Sequence, residues 1–190
     1  MKKLYLIRHC EASGQAPEAL LTDKGRLQSE SLSMFLSNLS IEQIVCSPFL
    51  RAKQSIQPFA QKEKFPVRVD ERLRERVLSN EKLSDWYIAL KQTYEDVDLK
   101  YTGGESTREA MHRAIECIDG CLQEAQSVTV LVTHGGLLSL ILKYYDDNYS
   151  FTDWEGLTNP DVFCLTFVHY AETQTPKIER IWGQSDGTIP

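Results

Sequence analysis

The chain has 190 residues, of which 42% are hydrophobic, and its formal net charge at pH 7 is −6. These values fit one globular domain with a real core, and the acidic balance argues against nucleic-acid binding, which needs a basic surface. No apolar run is long enough to span a membrane or to act as a signal peptide. The five cysteines are odd in number and form no Cys-x-x-Cys pair, so we expect free thiols in a soluble, cytoplasmic protein.

Hydrophobic periodicity and capping residues divide the first half of the chain into alternating strands and helices. The predicted elements are a strand at residues 3–7, a helix from Thr22 to about residue 37, a strand at 41–46, a helix capped by Ser47 that runs from Phe49 and is disturbed near Pro58, a short strand at 67–69 and a helix at 80–93.

The second half continues the alternation after a loop. The predicted elements are a helix opened by the capping-box pair Ser106 and Glu109, a central parallel strand at 128–132, a helix at 137–145, antiparallel strands at 162–168 and 177–182, and a loose tail from residue 185. Strands that alternate with helices indicate an α/β sandwich with a mostly parallel sheet.

Three predicted strand ends carry polar residues. Arg8 and His9 end the first strand, Arg51 lies in the first turn of the helix after the second strand, and His134 follows the central strand. Ligands bind at the carboxyl ends of the strands in such sheets. The two arginines and the two histidines are therefore expected to share one rim.

This set of side chains is typical of a phosphate site. Arginine presents a planar fork of donors that fits phosphate oxygens, and the amides of Gly135 and Gly136 at a helix start offer further donors. A neutral imidazole can attack phosphorus and form a phosphohistidine, while the remaining cationic and donor groups stabilise charge on the phosphoryl oxygens. Each feature alone has an ordinary structural explanation, and their combination predicts the site.

The chain resembles the histidine phosphatase superfamily, the phosphoglycerate mutase-like enzymes. The matching stretches occur in family order from Leu4 to Leu142: LYLIRHCEAS, LLTDKGRLQSE, IVCSPFLRAKQSI, DERLRER, TGGESTREAMHRA and VTVLVTHGGLLSLIL. The resemblance implies that His9 accepts the phosphoryl group and that Arg8, Arg51 and His134 bind it. It also implies a reaction without metal or cofactor and a three-layer α/β/α fold around a mixed, mostly parallel sheet.

The resemblance places the proton donor to the leaving group at Glu75, in the stretch DERLRER. Glu71, in the same stretch, is a rival carboxylate, and the surrounding arginines leave an ordinary solvated charge run as the alternative. A general acid must be protonated near neutral pH, which a bound phosphate favours and flanking arginines oppose.

The chain departs from the family pattern at several positions. Cys10 replaces a usual glycine, and it is either a small buried residue or a thiol open to oxidation. Residues 11–21 lack the usual substrate-contacting residues, and Ser13 and Gln15 are the candidate substitutes in the substrate pocket.

Residues 76–104 also depart from the pattern, and we expect them to form a cap or lid insertion in a single domain of residues 1–190. The aromatic residues of this segment either line a substrate cavity or pack internally: Trp86, Tyr87, Tyr94 and Tyr101. The basic residues before it either favour an anionic substrate or belong to a mixed solvated surface: Lys62, Lys64, Arg68, Arg72 and Arg74.

The favoured function is a phosphatase that hydrolyses a phosphomonoester through phosphohistidine. The alternatives are phosphoglycerate mutase-type transfer and a non-catalytic phosphate-binding module. The expected partner is a small phosphorylated metabolite or another phosphomonoester, with no nucleic acid or membrane, and the chain is expected to be a monomer or a homodimer. His112 and His169 have no ligand-spaced partner, so both are interpreted as structural and no metal site is expected.

Overall fold

A computed structural model of the chain describes residues 1–168 and 175–183. Within these ranges the strands are β1 (Lys2–Arg8), β2 (Gln43–Cys46), β3 (Val67–Val69), β4 (Val128–Thr133), β5 (Asp161–Phe167) and β6 (Lys177–Arg180). The helices are α1 (Asp23–Leu36), α2 (Leu50–Glu63), α3 (Trp86–Glu95), α4 (Thr107–Gln123), α5 (Gly135–Tyr145) and α6 (Phe151–Glu155), with a 3₁₀ turn at Glu71–Leu73.

The described strands form one six-stranded sheet in the order β3-β2-β4-β1-β5-β6. The strands from β3 to β1 are parallel, whereas β5 and β6 run antiparallel to their neighbours. The predicted mixed, mostly parallel sheet is confirmed, and β4 and β1 occupy its centre.

Alternating side chains of the central strands pack into two separate hydrophobic layers. Leu6 and Leu131 face the layer that contains residues of α4 and α5. Ile7 and Val132 face the opposite layer, which contains residues of α1 and α2. Because both faces of the sheet are buried under helices, the architecture is the predicted three-layer α/β/α sandwich.

Two helix starts follow the predicted capping chemistry. The Thr22 side chain accepts a hydrogen bond from the Gly25 amide at the start of α1. At the start of α4, the Ser106 side chain accepts from the Glu109 amide, and the Glu109 carboxylate accepts from the Ser106 amide. Each pair satisfies backbone donors that a helix start leaves without an internal partner.

The structure corrects several predicted element boundaries. The helix predicted at 80–93 begins at Trp86, because Asp85 provides the cap by accepting from the Ile88 amide. α2 begins at Leu50 with Phe49 as the cap residue, so Ser47 does not cap it, and the helix continues past Pro58 to Glu63.

α6 was absent from the sequence prediction, although Ser150 and Asp153 supply a local signal. The Asp153 carboxylate accepts hydrogen bonds from the amide and the hydroxyl of Ser150.

His169 and the predicted tail from residue 185 lie outside the described residues. Within the described part of the chain, no helix is both long and apolar enough to cross a bilayer.

The parallel register fixes where the chain leaves the sheet. Arg8 pairs with Thr133 across β1 and β4, and Cys46 pairs with Val132 across β2 and β4. Beyond the strands, the His9 amide still donates to the Thr133 carbonyl at 3.0 Å, and the Ser47 amide donates to the Val132 carbonyl at 2.9 Å. The carboxyl ends of these three strands therefore meet at one edge of the sheet.

Candidate active site

His9 lies directly after β1, and its imidazole is buried. Its Nδ1 donates to the Cys10 carbonyl oxygen at 2.6 Å, since a carbonyl can only accept. Its Nε2 accepts from Arg51 Nε at 3.0 Å. These partners assign the neutral tautomer that carries its proton on Nδ1, so the lone pair is on Nε2, on the side of the arginine.

The surroundings of His9 keep this ring neutral. Burial, together with the charges of Arg51 and Arg8, lowers the pKa of His9 from its usual 6.5 to about 3, although the bond to Cys10 acts in the opposite direction. Asn159 Nδ2 also donates to the His9 carbonyl at 2.7 Å, which fixes the backbone at the strand end. A neutral imidazole with its lone pair on Nε2 can act as a nucleophile.

Arg51 is fully buried in the first turn of α2. Its Nη1 donates to the carbonyls of Gln15 and Ala16, at 3.0 Å and 2.8 Å. Arg8 Nη1 donates to the Leu157 carbonyl at 2.9 Å. None of the described carboxylates forms an ion pair with either guanidinium, so both positive charges remain available to an anion.

His134 caps α5 and is completely buried. Its ring lies edge-on to the His9 ring, with centroids 5.1 Å apart. The Ser47 hydroxyl accepts from the Phe49 amide and lies 2.7 Å from His134 Nε2. The hydroxyl can donate to Nε2 in this geometry, and the tautomer that accepts this bond carries the ring proton on Nδ1. Burial lowers the pKa of His134, and the nearby His9 and arginines lower it further.

Three buried side-chain nitrogens in the described part of the chain have no hydrogen-bond partner: Arg8 Nε, Arg51 Nη2 and His134 Nδ1. An unsatisfied buried donor costs about 1–3 kcal/mol, so such atoms are rare in folded proteins. All three belong to the side chains that the sequence assigned to phosphate binding. Their concentration at one place matches a site that donates hydrogen bonds to an oxyanion.

The side chain of Glu75, which follows the 3₁₀ turn in sequence, packs against the first turn of α5. Its carboxylate accepts from the amides of Gly136 at 3.0 Å, Leu137 at 2.9 Å and Arg76 at 2.8 Å. The Gly136 amide, expected from the sequence to face a phosphate, thus serves this carboxylate. Glu75 lines the same cavity as Arg8 and His9, whereas the rival Glu71 is exposed on the 3₁₀ turn and does not line it.

A side chain at either of the two glycines after His134 would have to displace Arg8 or Glu75. A Cβ at Gly135 would lie 2.9 Å from Arg8 Nε, and a Cβ at Gly136 would lie 2.8 Å from a Glu75 carboxylate oxygen. Neither distance is compatible with normal packing. The glycine pair therefore allows the arginine and the glutamate to lie against the helix start.

The cavity at this edge has a volume of about 540 Å³. Of the two candidate pocket residues, Gln15 lines it, whereas Ser13 does not and donates its hydroxyl to the Leu20 carbonyl. Trp86 lines the cavity, while Tyr94 is buried against Ser139 and Tyr101 donates to Gln92. Sequence reasoning missed the cavity residues Phe49, Leu90 and Trp154. Only Phe49 had a local signal, since it lies between a strand end and Arg51.

The basic residues before the insertion do not line this cavity. Three of them pair with neighbouring carboxylates: Arg68 with Glu124, Arg72 with Asp70, and Arg74 with Glu105. Lys62 contacts Ser37 and Glu63, and Lys64 ends α2. They form the mixed surface that was the alternative interpretation.

Cys10 is buried, and its amide donates to the Ser55 hydroxyl at 2.8 Å. Burial raises the pKa of its thiol to about 12. Reactive cysteines have a lowered pKa and some exposure, and Cys10 has neither. Its environment therefore matches a small buried residue rather than a redox group.

His112 is exposed on α4, and no cluster of three metal-binding side chains occurs within residues 1–168 and 175–183.

The contact between Gly135 and Arg8 can be tested with Gly135→Ala. The added methyl group must displace the Arg8 guanidinium, so the affinity for vanadate, measured by titration calorimetry, should fall about tenfold or more, since one charge-assisted hydrogen bond is lost. Gly120→Ala is the matched control, because a Cβ there meets nothing within 4 Å on α4. Equal affinities in the two variants would contradict this role of Gly135.

The buried neutral state of His9 predicts a loss of stability in acid. Between pH 6.5 and about 3 the unfolded chain binds a proton at His9 and the folded chain does not, so the free energy of unfolding decreases as the pH falls. The expected loss at pH 5 is about 2 kcal/mol, since each pKa unit is worth about 1.4 kcal/mol. In urea titrations at pH 7.5 and pH 5, the loss of stability should be about 2 kcal/mol smaller in His9→Gln than in wild type, while His112→Gln should match wild type, because the buried His134 is present in all three proteins.

Comparisons with known proteins find phosphatases that are similar to this chain in sequence or in fold. A probable phosphatase of Schizosaccharomyces pombe is 26% identical over 161 residues, which are 79% of this chain and 76% of the relative. A mycobacterial glucosyl-3-phosphoglycerate phosphatase, solved with inorganic phosphate, superposes with a TM-score of 0.75 at 24% identity and covers 95% of this chain and 96% of its own. An Entamoeba histolytica phosphoserine phosphatase mutant with bound phosphoserine gives a TM-score of 0.76 at 21% identity, over 94% and 95% of the two chains.

The two solved structures share the fold described above. The family profile described as histidine phosphatase superfamily (branch 1) matches residues 4–181, nearly the whole chain. The match includes every strand and helix of the described ranges except the first two residues of β1. The chain therefore belongs to the histidine phosphatase superfamily, in its first branch.

Proposed function

We propose that the chain is a phosphatase that hydrolyses a phosphomonoester through a covalent intermediate on His9. The observation that carries the proposal is the neutral imidazole of His9 beside three buried donors without partners, on Arg8, Arg51 and His134. A nucleophile and donors for the transferred phosphoryl oxygens are the two requirements of this chemistry. The relatives named above as phosphatases support the same reaction class.

In the first step, the donors on Arg8, Arg51 and His134 bind the phosphoryl oxygens. Nε2 of His9 attacks phosphorus, and the lone pair that now accepts from Arg51 forms the P–N bond. Glu75 gives a proton to the ester oxygen as the P–O bond breaks, so the alcohol leaves uncharged. The Nδ1 hydrogen bond to the Cys10 carbonyl stabilises the positive charge that the phosphorylated ring gains.

In the second step, a water molecule attacks the phosphohistidine. Glu75, now a carboxylate, accepts the proton of this water, the P–N bond breaks, and the lone pair returns to Nε2. Inorganic phosphate leaves, and both residues regain their starting forms. The amides of Gly136 and Leu137 bind the carboxylate form of Glu75, which suits its role as the base of this second step, whereas the anionic ester bound in the first step favours its protonated form.

Mutase-type transfer requires a second anion site to hold a bisphosphorylated intermediate. Of the basic residues from Lys62 to Arg76, only Arg76 lines the cavity, and its guanidinium is already bound to Thr93 Oγ1 and the Glu105 carbonyl. This supports water rather than a second phosphate ester as the acceptor. A purely phosphate-binding role would not require the nucleophile and the acid that the site contains.

We further propose a substrate class, a cap for its pocket and a cellular compartment. The substrate is a small phosphorylated metabolite, and residues 76–104 act as the cap of its pocket within a single domain. All five cysteines are buried and free, which supports a reducing cytoplasmic environment.

The covalent role of His9 can be tested by rapid quenching with a ³²P-labelled aryl phosphate. Wild type should accumulate an acid-labile, base-stable label on the protein and release inorganic phosphate. His9→Ala should lose both while the circular dichroism spectrum remains unchanged, because the nucleophile is absent. Turnover that survives in a folded His9→Ala variant would rule out this mechanism.

The acid role of Glu75 predicts a dependence on the leaving group. Glu75→Gln should lower kcat/KM for an alkyl phosphate by about 10²–10⁴-fold, the usual range for lost acid catalysis. The loss for 4-nitrophenyl phosphate should be much smaller, because nitrophenolate leaves without a proton. Glu71→Gln is the matched control and should behave as wild type with both esters. Equal losses with both esters in Glu75→Gln would assign this residue to binding instead.

A further inference from the structure

The cavity extends beyond the reaction centre along a wall of apolar side chains. They come from five segments of the chain: Pro17, Phe49, Val77 with Leu78, Trp86 with Leu90, and Trp154. The leaving group of a phosphomonoester bound at His9 must lie in this part of the cavity, since Arg8, Arg51 and His134 surround the phosphoryl group. The chemistry of this wall therefore reports on the substrate of the proposed phosphatase.

The wall offers no free cation to a second anionic group. Apart from the reaction-centre Arg8, Arg76 is the single lysine or arginine among the described cavity residues. Its guanidinium is buried and occupied, since Nη1 donates to Thr93 Oγ1 at 2.8 Å and Nη2 donates to the Glu105 carbonyl at 3.1 Å. A carboxylate or second phosphate on the substrate would meet Glu75 and apolar surface instead.

Two tryptophans dominate this wall. Trp86 begins α3 and is 57% exposed, a large exposure for an indole. Trp154 lies on α6, and the two rings meet edge-on with centroids 6.4 Å apart. Trp154 also stacks on Phe151 at 5.2 Å, so its position is fixed from behind. Exposed indole surface facing a cavity suits contact with another flat apolar group.

Side-chain contacts of Tyr87 connect α3 to α6, the two helices that carry these tryptophans. The Tyr87 hydroxyl donates to the Glu155 carboxylate, and the Tyr87 ring lies edge-on to Phe151 at 5.0 Å. These contacts hold the first turn of α3 against α6. The aromatic wall is thus a built surface and not a chance approach of two side chains.

We propose that the natural leaving group is an uncharged alcohol with an aromatic body, which binds against Trp86 and Trp154. This inference rests on the proposed phosphatase reaction at His9 and adds the class of substrate. It disfavours compact, doubly anionic esters such as phosphoglycerate or phosphoserine, because their second anionic group finds no cation along the wall.

The test compares primary alkyl phosphates, whose leaving groups have similar basicity. We expect kcat/KM for 2-phenylethyl phosphate to exceed that for ethyl phosphate, 3-phosphoglycerate and phosphoserine by about tenfold or more, the equivalent of about 1.4 kcal/mol of aromatic contact. Preference for either anionic ester would overturn the inference but not the phosphatase reaction. No hydrolysis of any ester, 4-nitrophenyl phosphate included, would refute both.

Substitutions of the two tryptophans test whether they cause the preference for the aromatic ester. Trp86→Ala and Trp154→Ala should each lower the ratio of kcat/KM for 2-phenylethyl phosphate to that for ethyl phosphate, by about fivefold to tenfold. Trp86→Phe should retain most of the ratio, since an aromatic face remains. Ile88→Ala is the matched control, because Ile88 is similarly exposed on α3 and does not line the cavity. An unchanged ratio in both tryptophan variants would overturn the inference.

Discussion

The hydrogen bond from Arg51 Nε to His9 Nε2 is the interaction on which the site depends. It sets a permanent positive charge directly against the proposed nucleophile, so the ring cannot become protonated without strong repulsion. It also means that the nucleophilic lone pair is held by the same side chain that binds the transferred group. When a phosphoryl group binds, Arg51 can donate to its oxygens instead of to His9. The Nε2 lone pair then becomes available for attack on phosphorus, so substrate binding and attack are linked.

This arrangement lowers the stability of the folded chain. Two arginines and two histidines are crowded at one sheet edge, and the nearest partners of the guanidinium groups are backbone carbonyls rather than carboxylates. Each donor without a partner opposes folding by about 1–3 kcal/mol. The two large hydrophobic layers on either side of the sheet supply the stability that tolerates it. Functional sites commonly sacrifice local stability in this way.

The grouping of the proposed phosphate-binding residues was predictable because it depends on strand ends, which hydrophobic patterns locate well. Arg8, Arg51 and His134 meet for that reason alone. The contact of Glu75 with the start of α5 was not predictable from local sequence, because it depends on how the segment after the 3₁₀ turn packs against a helix sixty residues later. Ser47 has the pattern of a helix cap, yet its hydroxyl serves His134 instead. A tertiary partner replaced the local one, and no pattern within a short window reveals that.

The position of β1 has a consequence for the order of events during synthesis. β1 ends one residue before the proposed nucleophile and lies between β4 and β5, which are more than 110 residues further along the chain. Asn159 and Leu157, which hold His9 and Arg8, belong to the segment just before β5. On a ribosome, His9 therefore leaves the exit tunnel long before its supports do. The site is therefore incomplete until these residues have emerged, and a nascent chain that stops before Leu157 lacks both contacts.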